Sequence, residues 1–239
     1  MIFGPVNERN DIEHEVSIEL GKVTLKGNLA LPRAAKGIVL FAHGSGSSRH
    51  SPRNRSVAGE LQSHRLATLL FDLLTAEEEA VDQRTMLLRF NIRLLAKRLV
   101  GATRWVMRDS KLSGMDIGYF GASTGAAAAL MAAVQLPDLI AAIVSRGGRP
   151  DLAGEALGAV QSPTLLIVGG MDAPVITLNQ QALARLRCPE KKLVIIPGAT
   201  HLFEEPGALA EVAAIAREWF VRHFTTVGHA LVRRAVPTR

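Results

Sequence analysis

The chain reads as an α/β protein: a mostly parallel, eight-stranded sheet with helices on both faces and no cap domain. Three observations predict it. From residue 38 onward, short continuous apolar runs alternate with stretches of helical periodicity, the pattern of strands buried on both faces by crossover helices. Ahead of them, residues 12–20 and 23–31 alternate apolar with polar around Gly21-Lys22, which predicts an opening antiparallel hairpin. Finally, Gly121-Ala122-Ser123-Thr124-Gly125 lies between the strand-like run Asp116-Ile117-Gly118-Tyr119-Phe120 and the helix former Ala126-Ala127-Ala128-Ala129-Leu130-Met131.

Taken in order, the parallel strands fall at 38–42, 68–71, 117–120, 141–144, 164–168 and 193–196, each a short apolar run. Helices are expected at 56–64, 83–107, 125–134, 175–186 and 208–223, and 83–107 is the longest. Between the strands at 141–144 and 164–168 about 19 residues intervene, room for a loop and one short helix near 152–160 rather than a lid. The site is therefore expected to be open. With 48% hydrophobic residues, no internal repeat and no low-complexity tract, residues 1–239 are expected to form a single domain around one large core.

Composition narrows the function classes. No run of about 18 apolar residues occurs, so no membrane-spanning helix is expected. Residues 1–9 lack a basic start followed by an apolar core and do not read as a signal peptide. The single cysteine, Cys188, allows no internal disulfide and reads as an inert thiol. These points lead to the expectation of a cytoplasmic protein. The net charge of +6 gathers in Arg233, Arg234 and Arg239 near the end, in Arg49, His50, Arg53 and Arg55, and in Arg146 and Arg149. Aromatic residues are only 5% and no nucleic-acid reader motif is present, so the basic tail reads as a solvated surface.

The G-x-S-x-G stretch carries chemistry because of what its backbone must do. A strand that turns at once into a helix strains the central Ser123 and lifts its hydroxyl clear of the sheet edge. Side chains at 121 or 125 would collide with the neighbouring strand or helix, hence the two glycines. Downstream, Asp172 follows the strand at 164–168 through Gly169-Gly170-Met171, and His201 follows the strand at 193–196 through Pro197-Gly198-Ala199-Thr200. Both lie just past the carboxyl end of a buried strand, where open α/β sheets place ligands. The expected roles are Ser123 as nucleophile, His201 as general base and acid, and Asp172 as the group that orients His201. Asp172 also suits the N-cap of the following helix. Asp151 is its stronger rival as the acidic partner, ahead of Asp138.

A fourth segment, His43-Gly44-Ser45-Gly46-Ser47-Ser48-Arg49, follows the strand at 38–42. Its glycines allow close backbone approach, and the amides of Ser45 and Thr124 together are expected to form an oxyanion hole. His43 reads as a hydrogen-bonding support for that loop and Gly44 as part of it. Arg49, Arg53, Arg146 and Arg149 lie near the same sheet edge, and a guanidinium there, Arg49 or Arg146 above all, can clamp a substrate carboxylate. The alternative is a salt bridge that pins the loops, with Asp72 or one of Glu77, Glu78 and Glu79 as partner.

On the segments 43–49, 121–125, 169–172 and 198–201 the chain resembles the dienelactone-hydrolase-like group of α/β-hydrolases, over nearly its whole length. The resemblance implies a serine nucleophile, an Asp–His pair and hydrolysis of a carboxylic ester or lactone; the expected function is a serine hydrolase of carboxylic esters, lactones or thioesters acting through an acyl-enzyme, with no cofactor and no metal. It departs from the group in one respect: dienelactone hydrolase proper uses a cysteine nucleophile, where this chain has Ser123. An acyltransferase, or a non-hydrolytic acyl-binding module on the same fold, is the alternative. The expected partner is a small-molecule ester, with no nucleic acid and no membrane, and the protein is expected to be a monomer or homo-dimer.

Overall fold

The computed structural model describes residues 13–224. Ile12, the N-terminal segment 1–9 and Arg233, Arg234 and Arg239 lie outside the described residues. The elements run β1 (Glu13–Glu19), β2 (Thr24–Ala30), β3 (Gly37–Ala42), α1 (Pro52–Ser63), β4 (Ala67–Phe71), α2 (Ala76–Thr85), α3 (Ile92–Arg108), β5 (Asp116–Ala122), α4 (Thr124–Gln135), β6 (Ile140–Arg146), a kinked 3₁₀ segment (Pro150–Ala159), β7 (Thr164–Gly169), α5 (Ala173–Arg185), β8 (Lys191–Ile196) and α6 (Ala208–His223).

The eight strands form one sheet in the order β1-β2-β4-β3-β5-β6-β7-β8. β1 pairs antiparallel with β2, and β2 antiparallel with β4; every other pairing is parallel. Side chains leave successive strand positions on opposite faces, and the core divides accordingly. Ile38, Leu40 and Ala42 of β3 join the layer beneath α3 and α4, whereas Val39 and Phe41 join the layer beneath α1 and α6. The chain order reverses direction across the sheet between β3 and β5. That makes a switch point, and the loops after these two strands face each other over the crevice. No cap domain interrupts the described residues; the connection from β6 to β7 holds only the 3₁₀ segment.

The structure corrects one element. The expected helix at 83–107 is two helices, α2 and α3, separated at 86–91. Met86 takes a left-handed backbone (φ 55°) that ends α2. The buried Asp82 carboxylate then accepts hydrogen bonds from the Leu88 and Arg89 amides (2.7 and 3.0 Å) and from Arg89 Nε (2.5 Å), which holds the turn shut. Asn91 Oδ1 restarts the helix by accepting from Leu94 N–H at 3.1 Å. α2 itself opens on a capping box: Thr75 Oγ1 accepts from Glu78 N–H and the Glu78 carboxylate accepts from Thr75 N–H. The signature Thr75-Ala76-Glu77-Glu78 was available in the sequence. α1 also begins four residues earlier than its periodicity suggests, with Ser51 as N-cap and Pro52 at its first position.

The tightest constraint lies where α4 meets the sheet. A Cβ on Gly125 would lie 2.0 Å from Ala42 O and 2.5 Å from His43 O, and one on Gly121 would lie 2.5 Å from Ala126 Cα. All of these obstacles are backbone, which cannot rotate aside. Gly125→Ala is therefore expected to lower stability by about 3 kcal/mol or more, or to yield no folded protein. Urea denaturation beside wild type checks this, and a loss under about 1 kcal/mol would show that the α4–β3 contact yields easily.

Candidate active site

Ser123 sits between β5 and α4 with φ 51° and ψ −123°, a conformation that a residue bearing a side chain adopts only when its surroundings impose it. Its backbone is pinned from the neighbouring strand end: Ser123 N–H donates to Arg146 O (3.3 Å), and Arg149 N–H donates to Ser123 O (3.0 Å). The residue remains partly open to solvent.

His201 and Asp172 meet across two loops. His201 Nδ1 and Asp172 Oδ2 are 2.6 Å apart. Asp172 occupies the N-cap position of α5, yet its side chain makes no capping bond; the carboxylate is turned to the histidine instead. The two loops are stitched backbone to backbone, with Gly170 N–H donating to Ile196 O (2.8 Å) and Met171 N–H to Ala199 O (2.9 Å). Gly169 permits this approach, since a Cβ there would lie 2.4 Å from Thr200 O. The rival Asp151 is taken: it receives Arg149 Nε and Nη2 in a bidentate pair at 2.9 and 2.8 Å. Asp138 precedes β6, at the opposite edge of the sheet. Gly147, next to the Arg146 carbonyl that holds Ser123, lies against His201, whose Cε1 would be 3.6 Å from a Cβ built on it. The loop after β6 thus touches both residues.

The 43–49 loop is fastened from below by His43. Leu73 N–H donates to His43 Nε2 at 3.1 Å, which makes Nε2 the acceptor and leaves Nδ1–H to donate to Gly44 O at 2.9 Å. Both ring nitrogens are used, so His43 supports the loop and Gly44 is held against Ser123, whose Cβ would lie 3.0 Å from a Cβ built on that glycine. Ser45 N–H donates to Thr124 Oγ1 at 3.0 Å. In this structure the amide has that hydroxyl as its acceptor, and the bond ties the 43–49 loop to the first residue of α4. Thr124 N–H, at the start of α4, has no acceptor one turn back in the helix.

Among the arginines, Arg49 and Arg149 form salt bridges, the alternative to a carboxylate clamp. The Arg49 guanidinium contacts the Asp72 carboxylate, Glu15 Oε2 (3.2 Å) and Asn28 Oδ1 (3.0 Å), and its amide donates to Asp72 Oδ1 (2.8 Å). It pins the loop to β1 and β2, with each of its three guanidinium nitrogens engaged. Arg149 is paired with Asp151 through Nε and Nη2. Arg53 Nη1 lies 3.4 Å from Glu204 Oε1, joining α1 to the loop that follows His201. Arg146 differs: it is 7% exposed, and its Nε has no hydrogen-bond partner. Sequence reasoning missed Phe203, whose ring centroid lies 5.9 Å from the Arg146 guanidinium carbon, since nothing in an isolated aromatic announces such a contact.

No group of three or more His, Cys, Asp or Glu side chains is placed to hold a metal ion among the described residues. Cys188 lies elsewhere, near the β8 edge, where burial pushes its thiol pKa up. No described helix is long and apolar enough to cross a membrane.

The fold is that of an α/β hydrolase, with no lid among the described residues, and comparison with known proteins agrees. No family model matches the chain. A dienelactone hydrolase from Anabaena variabilis of known crystal structure is 60% identical, with a TM-score of 0.87, over 89% of this chain and 98% of that one. The chain belongs to the dienelactone hydrolase family. A Pyrococcus furiosus esterase (17% identical, TM-score 0.73, 94% of this chain and 97% of that one) shares the fold. So does a Xanthomonas campestris α/β serine hydrolase described as having no lid (18%, TM-score 0.71, 89% and 95%). A curated Mycobacterium tuberculosis protein, provisionally named a phosphoribosyl transferase, is 53% identical over 217 residues, 90% of this chain. The chain spans about half the length of the curated relatives it matches, 48% in this instance, so that name belongs to a longer protein.

The burial of His43 makes a pH prediction. Burial is the main influence on it and lowers its pKa from the usual 6.5, against smaller upward pulls from its bond to Gly44 O and from Asp72 and Glu79. A histidine depressed in the folded state contributes stability that is fully present above the unfolded value near 6.5. That stability is lost as pH falls below it, because the unfolded chain takes up the proton first. The wild-type Tm is expected to fall between about pH 7 and 5, and His43→Gln to flatten that slope. Parallel slopes in differential scanning calorimetry would count against the neutral, loop-holding histidine.

Proposed function

We propose that the protein is a serine hydrolase of carboxylic esters, lactones or thioesters, acting through an acyl-enzyme with Ser123, His201 and Asp172 as its triad. The observation that carries this reading is the 2.6 Å contact between His201 and an Asp172 that declines its capping role, taken together with the strained backbone of Ser123. In the proposed sequence His201 Nε2 accepts the Ser123 proton as Oγ attacks the carbonyl carbon. Asp172 holds Nδ1–H and stabilises the imidazolium. The tetrahedral oxyanion is received by Thr124 N–H and by Ser45 N–H, which shares or exchanges its bond to Thr124 Oγ1. Such donors each contribute about 3 to 4 kcal/mol to barrier reduction. His201 then gives its proton to the leaving alcohol, and a water deprotonated by His201 releases the acid and regenerates Ser123.

The rim supports a substrate with apolar parts. Met171 and Leu202, which flank the Asp172 and His201 loops, are exposed, as are Met86, Leu87 and Phe90 on the α2–α3 turn. That turn reaches the 43–49 loop through Arg89, whose Nη1 would lie 3.4 Å from a Cβ on Gly46. Exposed apolar side chains gathered round an open site suit a small organic ester. The dienelactone hydrolase name of the 60%-identical relative points to the same bond class.

The test is a p-nitrophenyl ester chain-length series. Wild type is expected to turn over the shorter esters. Ser123→Ala and Asp172→Asn are each expected to lose roughly a thousandfold or more in kcat, the second because the imidazole takes the wrong tautomer. Turnover by Ser123→Ala within about tenfold of wild type would remove the serine from the mechanism.

A further inference from the structure

The loop that follows β6 is tethered at four consecutive residues. Arg146 O accepts from Ser123 N–H (3.3 Å), Gly147 N–H donates to Ile167 O of β7 (2.8 Å), and Arg149 N–H donates to Ser123 O (3.0 Å). The tether at Gly148 is the one that a side chain makes: Asn179 Nδ2 donates to Gly148 O at 3.0 Å. Asn179 is 0% exposed and stands on α5, about two turns beyond Asp172. One buried amide thus joins the helix that starts after Asp172 to the loop that grips Ser123 on both sides.

The amide has one workable orientation. Nδ2 faces two carbonyls, Gly148 O and, one turn back on α5, Val175 O (2.8 Å), so reversing it would set oxygen against oxygen. Its Oδ1 is buried without a donor, a cost that a leucine in the same place would not carry. What the amide adds is therefore location rather than packing. Gly148 is already confined on its α4 side, where a Cβ would lie 1.9 Å from Ser145 Oγ and 2.7 Å from Ala126 Cβ. On its α5 side Asn179 holds it. Both halves of the site depend on this loop, since Gly147 abuts His201 and the positive φ of Ser123 persists only while its surroundings impose it.

We propose that Asn179 is a positioning residue: by holding Gly148 O it fixes the Ser123 turn at its working separation from the Asp172–His201 pair. The inference goes beyond the serine-hydrolase reading and rests on it for its kinetic readout. A misplacement on the order of 1 Å at a reacting centre costs about a hundredfold in rate, so a single released tether is enough to register in turnover.

The experiment uses two substitutions at one position. Asn179→Leu removes both donors at similar volume, whereas Asn179→Ser keeps a hydroxyl that bonds Val175 O and lacks the reach to Gly148 O. The serine variant keeps the test alive if the leucine variant does not fold. Both are assayed with p-nitrophenyl butyrate well below their own Tm, beside Thr103→Val, which loses a different buried bond, Thr103 Oγ1 to Tyr119 Oη (2.6 Å), between α3 and the middle of β5. In the Asn179 variants kcat is expected to fall by about ten- to a hundredfold with KM within about threefold of wild type. Thr103→Val is expected to lower Tm and keep the wild-type kcat. Amide hydrogen exchange gives a readout free of turnover: exchange is expected to quicken at 121–126 and 146–149 in the Asn179 variants and not in Thr103→Val. A folded Asn179 variant with kcat within about twofold of wild type, an equal loss in Thr103→Val, or unchanged exchange in those two segments would overturn the positioning role and leave the hydrolase reading standing. Failure of wild type to cleave any ester, with the exchange changes as expected, would overturn the hydrolase reading and leave Asn179 as the group that fixes Ser123 in place.

Discussion

Everything at this site hangs on how closely the start of α4 can approach the ends of β3 and β5. Gly125 lies so near Ala42 O and His43 O that no side chain fits between them. That contact forces Ser123 into its positive-φ turn and brings Thr124 under the 43–49 loop, where its hydroxyl accepts the Ser45 amide. The strain at Ser123 is sustained by the surrounding backbone bonds to Arg146 O and from Arg149 N–H. Because β3 and β5 flank the topological switch, the same approach that packs the helix also opens the crevice above it.

A second set of backbone contacts brings Asp172 and His201 together. Asp172 and His201 belong to neighbouring strands, β7 and β8, and the loops that follow them share hydrogen bonds between Gly170 and Ile196 and between Met171 and Ala199. The same economy governs charge. The carboxylates near the sheet edge hold their arginines in pairs that shape loops, and Arg146 is the exception.

Much of this was legible because it depends on local pattern. Six continuous apolar runs gave the parallel strands to within a few residues; five are buried on both faces, where nothing else is tolerated, and β8, at the sheet edge, is only partly buried. Ser123, Asp172 and His201 could be picked out from their places after strands. The capping box at Thr75 and the Ser51-Pro52 start of α1 were equally local signals, but a periodicity search passes over them because each helix is only weakly amphipathic. The break at 86–91 was hidden for a different reason. Helical spacing persists through Leu87 and Leu88, and what ends the helix is the buried Asp82 folding back on Leu88 and Arg89.

The sequence by itself determined the fold class, the family and the three polar residues after strand ends, because periodicity, glycine placement and chain order all act over short distances. Only the tertiary structure decided which carboxylate reaches which cation. Asp172 and Asp151 look alike in sequence, as do Arg49, Arg146 and Arg149. Their roles separate when the fold places Asp172 against His201, Asp151 against Arg149 and Asp72 against Arg49, and leaves Arg146 beside Phe203 and Arg53. Partnership between charges is a matter of a few ångströms across distant segments, and the strand order of the sheet sets those distances.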